Sequence, residues 1–227
     1  MKSQIIVLTL IGLCFVFPFN SYAQDSEQEA NRRPEAVLNV GTDYSGFRMN
    51  EKKGGGSEYT YTFQGIGVHY DGQYFMNDKV LLGGGAVGGL LLSAAYDQTV
   101  SGVSESGTWD LSLYNAYHAL IHFDFDYLAL EDGPFQLSLG SSLGAQFLII
   151  GAKEDDSESD PISLSEFYFP ISADLKVKYW FNDTFAVHSS LSPSYSLYFM
   201  KSYRTRNSDL SALSWRFNIG LTIARYQ

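Results

Sequence analysis

Residues 121–130 read IHFDFDYLAL. Ile121, Phe123, Phe125 and Tyr127 alternate with His122, Asp124 and Asp126. On a helix these groups would smear around the whole circumference. On a strand they part onto two faces, one apolar and one ionisable. The stretch is therefore read as β, and the fold turns on which face meets water.

The same alternation fills the chain from Ala36 onward, in runs of about 13 to 20 residues divided by turn-rich pieces. The first run sets Leu38, Val40, Thr42 and Tyr44 against Asn39, Gly41, Asp43 and Ser45. The second, Glu58 to Phe75, sets Ile66, Val68, Tyr70 and Tyr74 against Gly67, His69, Asp71 and Gln73. Its upper part, Tyr59, Tyr61 and Phe63, is one step out of phase, which predicts a bulge near Gln64-Gly65. Val80–Tyr96, Thr108–Leu128, Phe135–Ile150, Ser165–Trp180 and Phe185–Met200 follow, and an eighth run carries Trp215 to Ile223.

The connectors alternate in length. MNDK (76–79), ALEDGP (129–134) and FNDT (181–184) are tight, whereas those after the first, third, fifth and seventh runs are longer and polar. YFMNDKVLL (74–82) and YWFNDTFAV (179–187) echo each other, which reads as one turn chemistry used twice.

A soluble eight-stranded barrel would bury its apolar face. Three features favour the inverse. Strands of about 16 residues tilted at about 40° rise roughly 40 Å, beyond a ~25 Å apolar belt. The polar face is built of Gly, Ser, Asn and Gln with scattered charges, in a chain only 18% charged. Aromatics gather at both ends: Tyr74, Phe75, Tyr127, Phe135, Tyr179, Trp180 and Tyr226 near the short turns, and Tyr44, Tyr96, Trp109, Phe167, Phe169 and Trp215 toward the loops. The expectation is an all-β, eight-stranded, antiparallel up-and-down transmembrane barrel over 36–227. Tyr74, Tyr127, Tyr179 and Trp215 then sit at the lipid interface. Asp43, His69, Asp71, His118, His122, Asp124, Asp126, Asp174, Lys176, Lys178, His188 and Arg216 form a polar network in the lumen.

The N-terminus supports export. Lys2, the apolar stretch Ile5–Phe17, Pro18 and Ser21-Tyr22-Ala23 describe a signal peptide over 1–23, followed by a polar leader over 24–35. The apolar stretch is short for a membrane-spanning helix, and Leu13 before Cys14 argues against a lipoprotein. Cleavage after Ala23 removes the only cysteine and Lys2, taking the formal charge from −10 to −11. Nucleic acid is excluded as a partner, because no basic stripe is present.

These features together resemble the small outer-membrane β-barrel domain family of Gram-negative bacteria, the class that includes OmpX and the OmpA barrel. The likeness rests on the signal peptide, eight strands, Asn-Asp turns flanked by aromatics, and the last strand SWRFNIGLTIARYQ with Asn218, Gly220 and Ile223. It covers 36–227. Tyr226 followed by Gln227 departs from the family's terminal aromatic. The resemblance implies insertion by the barrel-assembly machinery and residence among outer-membrane lipids and lipopolysaccharide.

Other motifs read as structure. GGGAVG (83–88) spells a dinucleotide fingerprint but lies inside an exported strand. His188 and Ser190 share a face, as in outer-membrane lipid A hydrolases, yet no acid follows before Asp209. His118 and His122 stand about 13 Å apart on one strand, too far to share an ion. No cofactor, metal or catalytic residue is expected. The reading is a monomeric, non-enzymatic outer-membrane barrel serving surface interaction, adhesion or envelope integrity, with an extracellular ligand at loops 97–107, 151–164 and 201–210. The alternatives are a lipid A-modifying hydrolase, a narrow channel, or an accessory part of a secretion apparatus.

Overall fold

A computed structural model describes residues 34–53, 56–152, 164–197 and 208–226. The signal peptide and nearly all of the leader lie outside the described residues, as do 153–163 and 198–207. The strands are β1 (Ala36–Lys53), β2 (Ser57–Phe75), β3 (Val80–Val100), β4 (Val103–Trp109), β5 (Tyr114–Asp132), β6 (Phe135–Ala152), β7 (Leu164–Trp180), β8 (Phe185–Leu197) and β9 (Ser208–Arg225). All pairings are antiparallel, in the order β2-β1-β9-β8-β7-β6-β5-β3-β4, and a β2–β3 ladder closes the ring. Eight strands make the barrel. The first and last, β1 and β9, pair from Ala36↔Arg225 to Lys53↔Ser208. Closure leaves the barrel wall no open edge, which is what a strand needs to cross hydrocarbon.

β4 is the addition. Among the described residues it pairs only with the outer end of β3, from Ala94↔Trp109 to Val100↔Val103, and a 3-10 turn at Leu111–Leu113 separates it from β5. Ser101 and Gly102, both at positive φ (53° and 81°), make its two-residue turn, where glycine avoids the Cβ clash. Residues 97–107 are therefore a hairpin, not the polar loop expected there. The β1–β2 connection is likewise short, because β1 runs on to Lys53 and β2 starts at Ser57.

The echoed turns share one construction. Asn77 Oδ1 accepts from the Lys79 and Val80 N–H groups at 2.9 and 3.0 Å. Asn182 Oδ1 accepts from those of Thr184 and Phe185, both at 2.9 Å. The Asn side chain stands in for a backbone acceptor and fixes a tight reversal.

The expected bulge sits on the other strand. The β1–β2 register runs unbroken, so Tyr59, Tyr61 and Phe63 keep the phase of His69 and point inward. The irregularity is on β3: Gln64 pairs Ser93 and Gly65 pairs Leu91, leaving Leu92 unopposed. A bulge on β2 would have turned those aromatics toward lipid, and with the bulge on β3 the interior claims them instead.

The wall has an apolar outside. Phe123 is 58% and Phe125 46% exposed, while Asp124 and Asp126 are each 1% exposed. Ile66, Val68, Leu139, Leu143, Ile171, Leu175, Phe217, Ile219 and Leu221 continue this face around the barrel. So broad an apolar exterior calls for hydrocarbon rather than water.

Candidate functional site: the layered lumen

The lumen is stacked in three layers. At the short-turn end lies an apolar floor of Val37, Leu81 and Leu128, with Phe75 and Trp180 packed against it. Phe75 and Trp180 thus turn inward and do not join the aromatic girdle expected from their place in the sequence. The middle layer is polar. The outer half is an apolar ceiling of Phe47, Met49, Phe63, Leu91, Ala94, Ala116, Leu148, Ile150, Tyr168 and Ala212, all at most 7% exposed. Trp109 covers it, with its ring 6.0 Å from those of Phe63, Tyr61 and Tyr96. Trp109 and Tyr96 therefore also leave the expected lipid girdle. Tyr74, Tyr127, Tyr179 and Trp215 do face outward, 39–52% exposed.

All twelve ionisable residues singled out above stand in the polar lumen, but only some meet. Lys176 on β7 reaches across β6 to β5, with Nζ 2.7 Å from Asp126 Oδ2 and 3.4 Å from Asp124 Oδ2. His122 Nδ1 lies 2.7 Å from Asp124 Oδ1, and Gln73 on β2 donates to Asp126. One lysine and its partners thus tie three strands across the barrel. The span is open because β6 carries Gly140 between Asp126 and Asp174, and a Cβ there would strike the Asp126 carboxylate.

A second group lies on the opposite wall. His69, Gly41, Gly220 and His188 form one cross-strand row over β2, β1, β9 and β8. The two glycines clear the intervening strands, and the imidazoles meet above them, Nε2 to Nε2 at 3.2 Å. Their ring centroids are 5.1 Å apart at 83°. Asp71 Oδ2 is 3.8 Å from His69 Nε2. Asn39 and Thr222 complete this group, Asn39 donating to Asp71 at 2.5 Å and Thr222 to Asn39 at 2.6 Å.

Asp43, His118, Asp174, Lys178 and Arg216 are buried in the same layer, yet no ion pair within 4 Å joins them to a described residue. Asp43 is in register with Asn218, Arg216 with Ser45, and Lys178 with His188. His118 marks the layer boundary, its ring 5.5 Å from that of Phe47. Among the described residues, no group of three or more His, Cys, Asp or Glu side chains is arranged to hold a metal ion.

Sequence reasoning missed two sets of residues. Asn39, Gln73 and Thr222 escape a search weighted toward charge, although they share the phase of Asp43, Asp71 and Arg216 on their own strands. The ceiling emerges only when the polar-face phase is followed outward. From Asp43 it reaches Phe47 and Met49, and from Gln146 it reaches Leu148 and Ile150.

His188 and Ser190 do not act on one another. His188 Nδ1 is 3.1 Å from Thr222 Oγ1, and Ser190 Oγ accepts from Asn218 Nδ2 at 3.0 Å.

No family profile and no curated protein matches the sequence. Solved structures do. OprG from Pseudomonas aeruginosa, an outer membrane protein, superposes with a TM-score of 0.52 at 11% identity, covering 86% of this chain and 97% of that one. Neisserial surface protein A aligns at 0.48 and 11% identity, covering 83% and 98%. Ail, the attachment invasion locus protein of Yersinia pestis, aligns at 0.39 and 10%, covering 83% and 99%. At such identities the likeness speaks to fold alone, and the OprG superposition is the one that bears on it. Closed wall and apolar belt make this chain an eight-stranded transmembrane β-barrel, with the fold seen in outer-membrane barrels such as OprG.

Proposed function

We propose that the barrel acts without catalysis, as a surface-interaction or envelope-integrity protein rather than as a pore. The observation that carries this reading is the layered lumen. An eight-stranded barrel is just wide enough for its own side chains to fill. Here an apolar ceiling and floor enclose a cross-linked ionic layer, an arrangement suited to holding a cylinder rigid. A hydrolase reading is disfavoured because Ser190 is engaged by Asn218 and faces the lumen, away from lipid.

The part available for contact is the sheet that continues outward beyond the ceiling. There the outer ends of β1, β2 and β3 carry β4, whose Val103 is 71% exposed, with Gln98 donating to Glu105 at 2.6 Å. The test has two arms. Reconstituted protein in planar bilayers should show no ohmic conductance, and intact cells should lose surface binding when Gln98–Ser106 is replaced by a two-residue turn. Steady single-channel currents, or altered lipid A mass in cells that depends on His188 and Ser190, would overturn the reading.

A further inference from the structure

The hydrogen bonds around the histidine pair can run in one direction only. An ionised carboxylate accepts and never donates, so Asn39 must present Nδ2 to Asp71 Oδ1. Its Oδ1 then faces Thr222, whose hydroxyl donates to it at 2.6 Å. Thr222 has a single proton and has used it. Toward His188 Nδ1, at 3.1 Å, it can only accept. A neutral His188 therefore carries its proton on Nδ1, and its Nε2 is bare. His69 Nε2, 3.2 Å away, must be the donor. His69 Nδ1 is left bare in turn, and that atom has no hydrogen-bond partner among the described residues.

We infer that His69 and His188 are held in opposite tautomers by this one-way chain, and that the chain is an acid-labile strap across the seam where the first and last strands meet. Its members lie on β2, β1, β9 and β8, so it crosses the β1–β9 junction. One added proton finds a vacant nitrogen at His69 Nδ1, with the Asp71 carboxylate close by. A second must land on His188 Nε2, the atom that accepts from His69. Two N–H groups would then face each other across 3.2 Å. The groups facing the pair offer little relief: Lys176 and Lys178 come from β7, Arg216 from β9 and the His122 ring from β5, against the Asp71 carboxylate. The doubly protonated pair must separate and release Thr222 and Asn39.

The first test reads tautomers on the unmodified protein. Full-length chain labelled with 15N-histidine and folded in lipid nanodiscs should show, at pH 8, an imidazole with its proton on Nδ1. The His188→Gln spectrum assigns that signal by its loss, and in Thr222→Val, with no acceptor left at His188 Nδ1, the two rings should exchange tautomers, His188 carrying its proton on Nε2 and His69 on Nδ1. Nε2–H forms at both residues, or shifts that change on adding a chelator, would overturn the inference.

The second test reads the strap. In His188→Gln the new amide can accept from His69 through its oxygen and donate to Thr222 through its nitrogen, so the chain persists without a second titratable ring. An unconstrained imidazole takes its proton near pH 6.5, so the unfolded chain binds it freely at pH 5. Between pH 8 and 5 the folding equilibrium of the wild type should fall about 30-fold further than that of His188→Gln, as measured by urea unfolding. Parallel pH profiles for the two proteins would contradict the strap.

Discussion

The two halves of the lumen keep the same barrel filled by opposite means. In the half toward the short turns, much of the polarity is met by specific partners: Lys176 with Asp124 and Asp126, His122 with Asp124, and the His69–His188 pair with Thr222, Asn39 and Asp71. In the outer half, Phe47, Met49, Phe63, Leu148, Ile150 and Tyr168 fill the space with apolar volume and need no specific partner. The strands are the same and only the inward residues differ. Apolar filling is tolerant because dispersion and burial are non-directional. Polar filling is not, since each group depends on one particular neighbour.

Removing one partner from the ionic layer should have the largest effect. Lys176→Met strands two carboxylates and should cost about 3–5 kcal/mol, read from urea unfolding in lipid vesicles. Adding Asp124→Asn and Asp126→Asn should recover most of that loss, because replacing a whole buried pair by uncharged groups is roughly neutral. Phe63→Ala in the ceiling should also cost about 3–5 kcal/mol, as transfer and cavity terms add. No polar-partner substitution should rescue it. Rescue behaviour, more than magnitude, separates the halves.

Glycines give a finer contrast. Gly140→Ala should cost about 1–3 kcal/mol, since the new methyl enters the Asp126 carboxylate. Gly151→Ala, at the outer end of the same strand, meets nothing within 4 Å and should stay within about 0.5 kcal/mol of wild type. Equal costs at Gly140 and Gly151 would mean that the ionic layer is looser than its distances suggest. A reference outside the lumen comes from the exposed turns. Asn182→Ala removes two hydrogen bonds there and should cost about 1 kcal/mol, as should Asn77→Ala.

Much of this was legible in the sequence, and the reasons are specific. Period-2 alternation around Phe123, Phe125 and Tyr127 fixed which face each residue takes, because a strand has only two. The shared Asn-Asp turns announced their own hydrogen bonding. The register slip at Gln64-Gly65 was legible, but the strand that carries the extra residue was not, because Leu90, Leu91 and Leu92 are chemically alike and nothing marks one of them as unpaired. That ambiguity puts Tyr59, Tyr61 and Phe63 on the wrong face. Trp109 and Trp180 are misplaced for a related reason. An aromatic near a barrel end suits an interfacial girdle and an apolar plug equally well, and only strand phase decides between them. The His69–His188 contact was hidden as well, since the pair lies 119 residues apart and needs glycines on both intervening strands.

Apolar side chains face hydrocarbon while ionisable ones fill a closed cylinder. Nitroxide labels placed singly at residues 121 to 127 in vesicle-reconstituted protein test it directly. Labels at 121, 123, 125 and 127 should collide freely with lipid-dissolved oxygen, and labels at 122, 124 and 126 should be shielded from it. The opposite phase, or uniform accessibility along the stretch, would mean that the ionisable face does not line the lumen.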